Sequence, residues 1–165
     1  MGRSYQDGST RKSVKKQHYI TRHTSPLGHY AAQAFVVRCF DERFRAAGEK
    51  FLAAKKIKKA DVESVAGGAK IFSSPEKSGD RDFMLREIEK SIKLHHTKRA
   101  MLFTHYDCGA YGGLARFEGD EEKQFLFHQT ELRKAAATVL KKFPYLAVKT
   151  YFIDRGGIVE VHCVS

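Results

Sequence analysis

Thiolates and imidazoles are the side chains that hold zinc and similar divalent metals, and three of them are spaced here so that they could share one ion. His105 and Cys108 stand three apart in His105-Tyr106-Asp107-Cys108, close enough to chelate from a single turn. Cys39 lies far upstream and would have to be brought in by the fold. Three protein ligands leave one position open, as catalytic zinc sites do. The chain has 3 cysteines in all, so a closed four-cysteine site cannot form. A His-x-x-Cys pair by itself is also compatible with a buried cysteine that acts only as a small apolar residue. Cys39 opens the run Cys39-Phe40-Asp41-Glu42-Arg43. On spacing alone, Asp41 and Arg43 could be a helix-start acid and a surface arginine.

The elements that must bring these residues together can be read from the pattern. Ala34 to Val37 is a short apolar run, as expected for a strand buried on both faces. Residues 42–58 carry Phe44, Ala47, Phe51, Ala54 and Ile57 at helical spacing. A second short strand is expected over 62–65, ending at Ala66-Gly67-Gly68. A helix follows over 81–95, then a buried strand over 100–103 and a glycine-rich loop over 105–113. Residues 121–143 form an amphipathic helix with Phe125, Leu132, Ala136, Val139 and Phe143 on its face, and Pro144 helps to stop it. Strands over 146–153 and 158–163, joined by Asp154-Arg155-Gly156-Gly157, read as a hairpin. Cys163 is expected to be a buried strand residue. The order β-α-β-α-β-α-β-β predicts an α/β fold: a mainly parallel central sheet, helices on both faces, and a C-terminal antiparallel edge strand. In such sheets ligands bind outside the carboxyl ends of the strands. Cys39 lies just past the first strand, and His105 and Cys108 just past the third.

The Cys-x-Asp-x-Arg segment after the first strand and the His-x-x-Cys-Gly segment after the third together resemble the signature of the β-class carbonic anhydrases. The resemblance covers about residues 31–165 and is that of a small, divergent member. It implies a zinc cofactor held by Cys39, His105 and Cys108, with Asp41 and Arg43 as the family's dyad. The implied activity is that of a zinc lyase, the reversible hydration of carbon dioxide to bicarbonate by zinc-bound hydroxide. In that reading Arg43 holds Asp41 off the metal, and the backbone of Ala66, Gly67, Gly68 and Gly109 lines the approach of substrate. The family's assembly implies a homodimer or a larger homo-oligomer. Two departures touch the pocket wall: Thr104 precedes His105 where the family usually has glycine, and Val65-Ala66-Gly67-Gly68 stands where the family has an Asn-Ala-Gly-Asn loop. They leave open the hydrolysis of a CO2 analogue, carbonyl sulfide or carbon disulfide, or a non-catalytic zinc-stabilised binding module with a basic tail.

The bulk properties bound the rest. A length of 165 residues fits one domain. No apolar run is long enough to span a membrane, and no membrane partner is expected. The N-terminus has no apolar stretch of the secretory kind. With three cysteines and no such stretch, metal or thiol chemistry in a reducing cytoplasm is a better expectation than disulfides. The net charge is +11. Such a balance raises nucleic acid as a partner, though no nucleic-acid motif accompanies it and lysine runs are most often solvated helix faces. Residues 1–30 are polar and basic and read as a flexible arm ahead of a zinc domain over 31–165.

Overall fold

In the computed structural model of the chain, residues 18–162 are described. Cys163 and residues 1–17 of the expected arm lie outside them, and residues 18–30 are largely exposed and form no helix or strand. Strand β1 (Ala34–Arg38) is followed by helix α1 (Arg45–Ala54), strand β2 (Ala60–Ser64), the single turn α2 (Lys70–Ser73), helix α3 (Ser78–His95), strand β3 (Arg99–His105), helix α4 (Glu121–Lys142), strand β4 (Ala147–Ile153) and the short strand β5 (Ile158–Glu160). The sheet order is β2-β1-β3-β4-β5. The first four strands are parallel, and β5 returns antiparallel along β4. Right-handed crossovers make this the natural outcome of strands alternating with helices.

Period-two alternation splits the buried side chains between two cores. Phe35, Val37, Ala100 and Leu102 face Phe72 of α2, Met84 and Ile88 of α3, and Leu132 and Val139 of α4. Val36, Met101, Phe103 and Tyr151 face the other way, against Phe44, Ala47, Phe51 and Leu52 at and within α1. The layered α/β expectation therefore holds, with α1 alone on one face. Asp120 starts α4 by accepting a hydrogen bond from the Lys123 amide (2.9 Å). At the other end of the sheet's helices, α3 stops where His96 turns left-handed (φ 55°) and its amide closes on the Ile92 carbonyl.

The structure departs from the periodic reading in several places, and β5 ends at Glu160 where the strand was expected to run to 163. The helix expected over 42–58 is shorter, because residues 42–44 form a 3-10 turn that Asp41 caps. Strand β2 begins two residues early and is only half buried, since it is an edge strand. Its Asp61 is held by Ser91 Oγ (2.6 Å), Tyr30 Oη (2.7 Å) and His95 Nδ1 (2.8 Å), which a hydrophobic pattern cannot register. The buried face of α4 includes Gln124, His128 and Glu131 beside its apolar residues. Glu131 accepts from the hydroxyls of Ser73 (2.7 Å) and Ser74 (2.6 Å), so the carboxylate is tied to α2 rather than stranded.

Candidate metal centre

Because β1 and β3 are parallel neighbours in level register, with Val37 opposite Leu102, their carboxyl ends arrive at the same rim. Cys39 follows the last residue of β1, and His105 is the last residue of β3. The chain then turns tightly: Asp107 is left-handed (φ 52°), and Cys108 caps a 3-10 turn over Gly109–Tyr111. The ligand atoms of Cys39, His105 and Cys108 all lie within 4.8 Å of one another.

His105 is oriented for a ligand. Its Nδ1 lies 2.8 Å from the Tyr106 carbonyl, which can only accept, so Nδ1 carries the proton. Nε2 is left with a free lone pair and is buried with no hydrogen-bond partner in the protein. An orphaned buried acceptor costs about 1–3 kcal/mol. The Phe44 ring covers the imidazole face, with centroids 4.5 Å apart.

The two sulfurs are complementary to a cation and ill suited to each other. Cys39 is pulled well below an ordinary thiol pKa, first by the hydrogen bond from Cys108 and further by the Asp41 and Gly67 amides. Cys108 is pushed up, first by sharing its proton with Cys39 and then by burial, although the Ala110 and Tyr111 amides point at its sulfur. Without a cation the two sulfurs oppose each other's ionisation; a divalent ion removes that conflict. A buried lone pair on Nε2 and two amide-lined sulfurs therefore fit zinc.

Asp41 and Arg43 meet beside this cluster. Arg43 grips the carboxylate in a fork, Nε to Oδ1 at 3.0 Å and Nη2 to Oδ2 at 2.7 Å. The Arg43 amide adds a third bond to Oδ1 at 3.0 Å. The guanidinium holds Asp41 down to about 2, against its ordinary 3.8. The sign follows from the depression: the pair stabilises the fold above the ordinary carboxylate value, and that contribution is lost as pH falls through about 2. Asp41 Oδ2 is 3.9 Å from His105 Nε2, at the edge of the cluster.

One residue at the rim escaped the sequence reading. Asp107 accepts a bond from Arg43 Nη1 (3.0 Å), and its carbonyl accepts one from Nη2 (3.1 Å). Its other carboxylate oxygen accepts the Leu114 amide at 2.9 Å, and its own amide bonds Gln124 Oε1 at 3.2 Å. Arg43 thus spans the loop after β1 and the loop after β3. The available signal was an acid inside His-x-x-Cys, which by itself names no partner.

The residues expected along the substrate approach differ in setting. Ala66 and Gly109 are exposed, whereas Gly67 and Gly68 are buried. The Gly67 amide serves the Cys39 sulfur. Gly68 is left-handed (φ 57°), and a Cβ there would collide with the Phe103 carbonyl oxygen and come within 2.9 Å of the Cys39 amide. Gly68→Ala is expected to lower unfolding stability by about 2–4 kcal/mol, combining left-handed strain with backbone overlap. Gly109→Ala, which meets nothing within 4 Å, should stay within about 0.5 kcal/mol. Urea melts of both variants test this, and equal midpoints would overturn it. His128 is fully buried against Tyr111 and Phe152 and pushed down to about 4 by burial, so it is not placed to pass protons to solvent. His162 follows β5, whose antiparallel course leads away from the rim.

A sequence model of the family described as "Putative carbonic anhydrase" matches residues 30–164. Among curated relatives, an uncharacterized protein of Rickettsia conorii is 36% identical over 75 residues, covering 44% of this chain and 40% of its own length. An uncharacterized protein of Rickettsia bellii is 33% identical over 81 residues, covering 46% of this chain and 49% of its own. The chain therefore spans less than half the length of these relatives. Among solved structures, the β-carbonic anhydrase CafA of Aspergillus fumigatus superposes with a TM-score of 0.58 at 11% identity, covering 82% of this chain and 78% of that one. Tetrameric β-carbonic anhydrases from Sordaria macrospora give a TM-score of 0.57 at 17% identity, covering 81% of this chain and 82% of theirs. At these identities the superpositions establish the fold, and the family match over nearly all of the described chain adds the lineage: this protein belongs to the carbonic anhydrase family so described, with a β-carbonic anhydrase-like fold.

Proposed function

We propose that this protein is a zinc enzyme that reversibly hydrates carbon dioxide to bicarbonate. The observation that carries the reading is the buried, unpartnered Nε2 of His105 converging with two cysteine sulfurs beside a carboxylate already claimed by arginine. Cys39 Sγ, His105 Nε2 and Cys108 Sγ would hold the metal. Zinc so bound supplies Lewis acidity, bringing the ionisation of water toward neutral pH.

The chain's own groups then have distinct tasks. Amides of Asp41 and Gly67 face the Cys39 sulfur and those of Ala110 and Tyr111 face Cys108, favouring the charged forms that metal binding requires. Tyr106 fixes the His105 tautomer. Arg43 keeps Asp41 ionised and turned away, so that the carboxylate accepts a hydrogen bond from the reacting water instead of becoming a fourth ligand. Phe44 keeps water off one face of the imidazole. Ala66, Gly67, Gly68 and Gly109 form the wall past which a small linear substrate approaches. Phe40, 67% exposed between Cys39 and Asp41, suits cover by a second copy, and we take the working form to be a homo-oligomer.

Stopped-flow CO2 hydration by the zinc-loaded protein tests the reading. Turnover well above buffer is expected, and Asp41→Asn should lower it at least about 10–100-fold with zinc retained. A zinc-loaded protein inert toward CO2 but active on carbonyl sulfide would move the assignment to that analogue. Inertness toward both would leave a zinc-stabilised binding module.

A further inference from the structure

Among the described residues, several exposed lysines gather at one end of the sheet. In a parallel sheet every crossover helix ends where the next strand begins, so helix C-termini and strand N-termini share one pole. Here that pole is laced into a continuous floor: Gln33 N bonds the Lys59 carbonyl (2.8 Å), Ala32 N bonds that of His95 (2.8 Å), and Ala147 N bonds that of Lys98 (3.0 Å). The starts of four adjacent strands therefore lie within about 15 Å, at the usual spacing between strands. Lys56, Lys58, Lys59, Lys98, Lys141 and Lys142 are all exposed there, and none makes an ion pair among the described residues. The acids at this end are already engaged, Glu89 with Lys93 (2.8 Å), Asp61 with His95 (2.8 Å) and Glu160 with Lys149 (2.8 Å).

Cations in a last helical turn offset the macrodipole, which accounts for Lys141 and Lys142. It does not account for Lys58, Lys59 and Lys98, which belong to connecting loops. Nor does it account for the apolar side chains among them. Leu94 is 66% exposed, Tyr145 71% and Leu140 38%. Tyr145 and Lys98 border a recess of about 410 Å³ whose other walls are Ile92, His96 and Thr97.

We propose that this pole is a docking surface for an anionic lipid bilayer. Lysines near an anionic headgroup layer each contribute about 1 kcal/mol, and clusters of four to eight are a recurring form of such sites. Tyrosine suits the interface, and leucine gains by entering it. Leucine offers nothing to a phosphate backbone or a base edge, so the interleaved Leu94 and Leu140 favour lipid over nucleic acid. A second copy seated on the same face would oppose lysine with lysine. A peripheral contact needs no span, and no helix of the described residues is long and apolar enough to cross a membrane. Strand β3 runs seven residues from this pole to His105, about 20 Å, so docking leaves the metal centre facing solvent. The inference does not depend on what that centre catalyses.

The test is co-sedimentation of the full chain with phosphatidylcholine vesicles, with and without phosphatidylglycerol. Binding only to the anionic vesicles, weakening as salt rises, is expected. Lys58→Glu, Lys59→Glu, Lys98→Glu and Lys141→Glu together should weaken it at least about 100-fold. Leu94→Ala, Leu140→Ala and Tyr145→Ala together should weaken it several-fold and leave its salt dependence in place. All these side chains are exposed, and unchanged melting and zinc content verify the fold of each variant. Equal binding to both vesicle types, or none to either, overturns the proposal. So does tight binding of single-stranded RNA that the leucine and tyrosine replacements leave intact, which would make this a nucleic-acid surface.

Discussion

Cys108→Ser is expected to lower zinc affinity by about 100–1,000-fold while leaving the metal-free fold nearly as stable as before. The two halves have separate causes. Structural zinc sites bind with roughly 10–16 kcal/mol over four ligands, so one thiolate accounts for about 2.5–4 kcal/mol. Serine keeps the shape and can donate a hydrogen bond to Cys39, but its hydroxyl does not ionise near neutrality. In the metal-free protein that same hydroxyl is an adequate substitute, because Cys108 already keeps its proton beside Cys39. Removing a sulfur therefore costs little without metal and a great deal with it. By linkage, a 100-fold loss of affinity at saturating zinc removes about 2.7 kcal/mol of stabilisation. For a domain of this size that is roughly 5–10 °C in Tm. Competition with a chromophoric chelator gives the affinity, and melts with and without zinc give the stabilities. A melting loss of the same size in the metal-free protein would mean that Cys108 matters as core packing rather than as a ligand.

How much of this was legible follows from what each residue is paired with. The strands announced themselves because both faces are buried, as in Ala34 to Val37, and their order with the helices fixed the sheet. The Cys39, His105 and Cys108 cluster was legible by type: thiols and an imidazole at strand ends, with the paired motifs supplying the family. Residues whose role lies in a contact across the sequence were not. Asp107 is one such case, since its partner Arg43 is distant in the chain and its left-handed backbone has no glycine to mark it. Gln124, His128 and Glu131 are others. They sit on the buried face of α4, where a hydrophobic pattern expects apolar side chains, and only the fold reveals that Ser73 and Ser74 satisfy Glu131. Glycine spacing likewise signalled a special loop at Gly67-Gly68 without indicating direction. The Gly67 amide turns toward the Cys39 sulfur, and Gly68 makes room for the Phe103 carbonyl.

Asp107→Ala should lower turnover about 10–30-fold without loss of zinc, though the side chain is not a ligand in the proposed site. Arg43 has a side chain 55% exposed, and an arginine free to rotate carries about 2 kcal/mol of rotamer entropy. In the native protein Asp107 absorbs that freedom by binding Nη1 with its carboxylate and Nη2 with its carbonyl. Arg43 then meets Asp41 already oriented. Without the carboxylate, Arg43 is held only by Asp41 and by the backbone carbonyl of residue 107, and up to about 2 kcal/mol is withdrawn from the clamp, which corresponds to the expected fold-change. Asp41 is then freer to turn toward the cysteines and histidine. A cobalt-substituted sample reports that change independently of rate, because a fourth protein ligand alters the visible spectrum. Asp107→Asn retains an acceptor for the Leu114 amide but loses the charge, so it should fall between the alanine variant and the parent in both readouts. If Asp107→Ala leaves rate and spectrum unchanged, Arg43 restrains Asp41 unaided and Asp107 serves only the loop. If it alters the rate and not the spectrum, Asp107 acts on something other than the carboxylate that Arg43 holds.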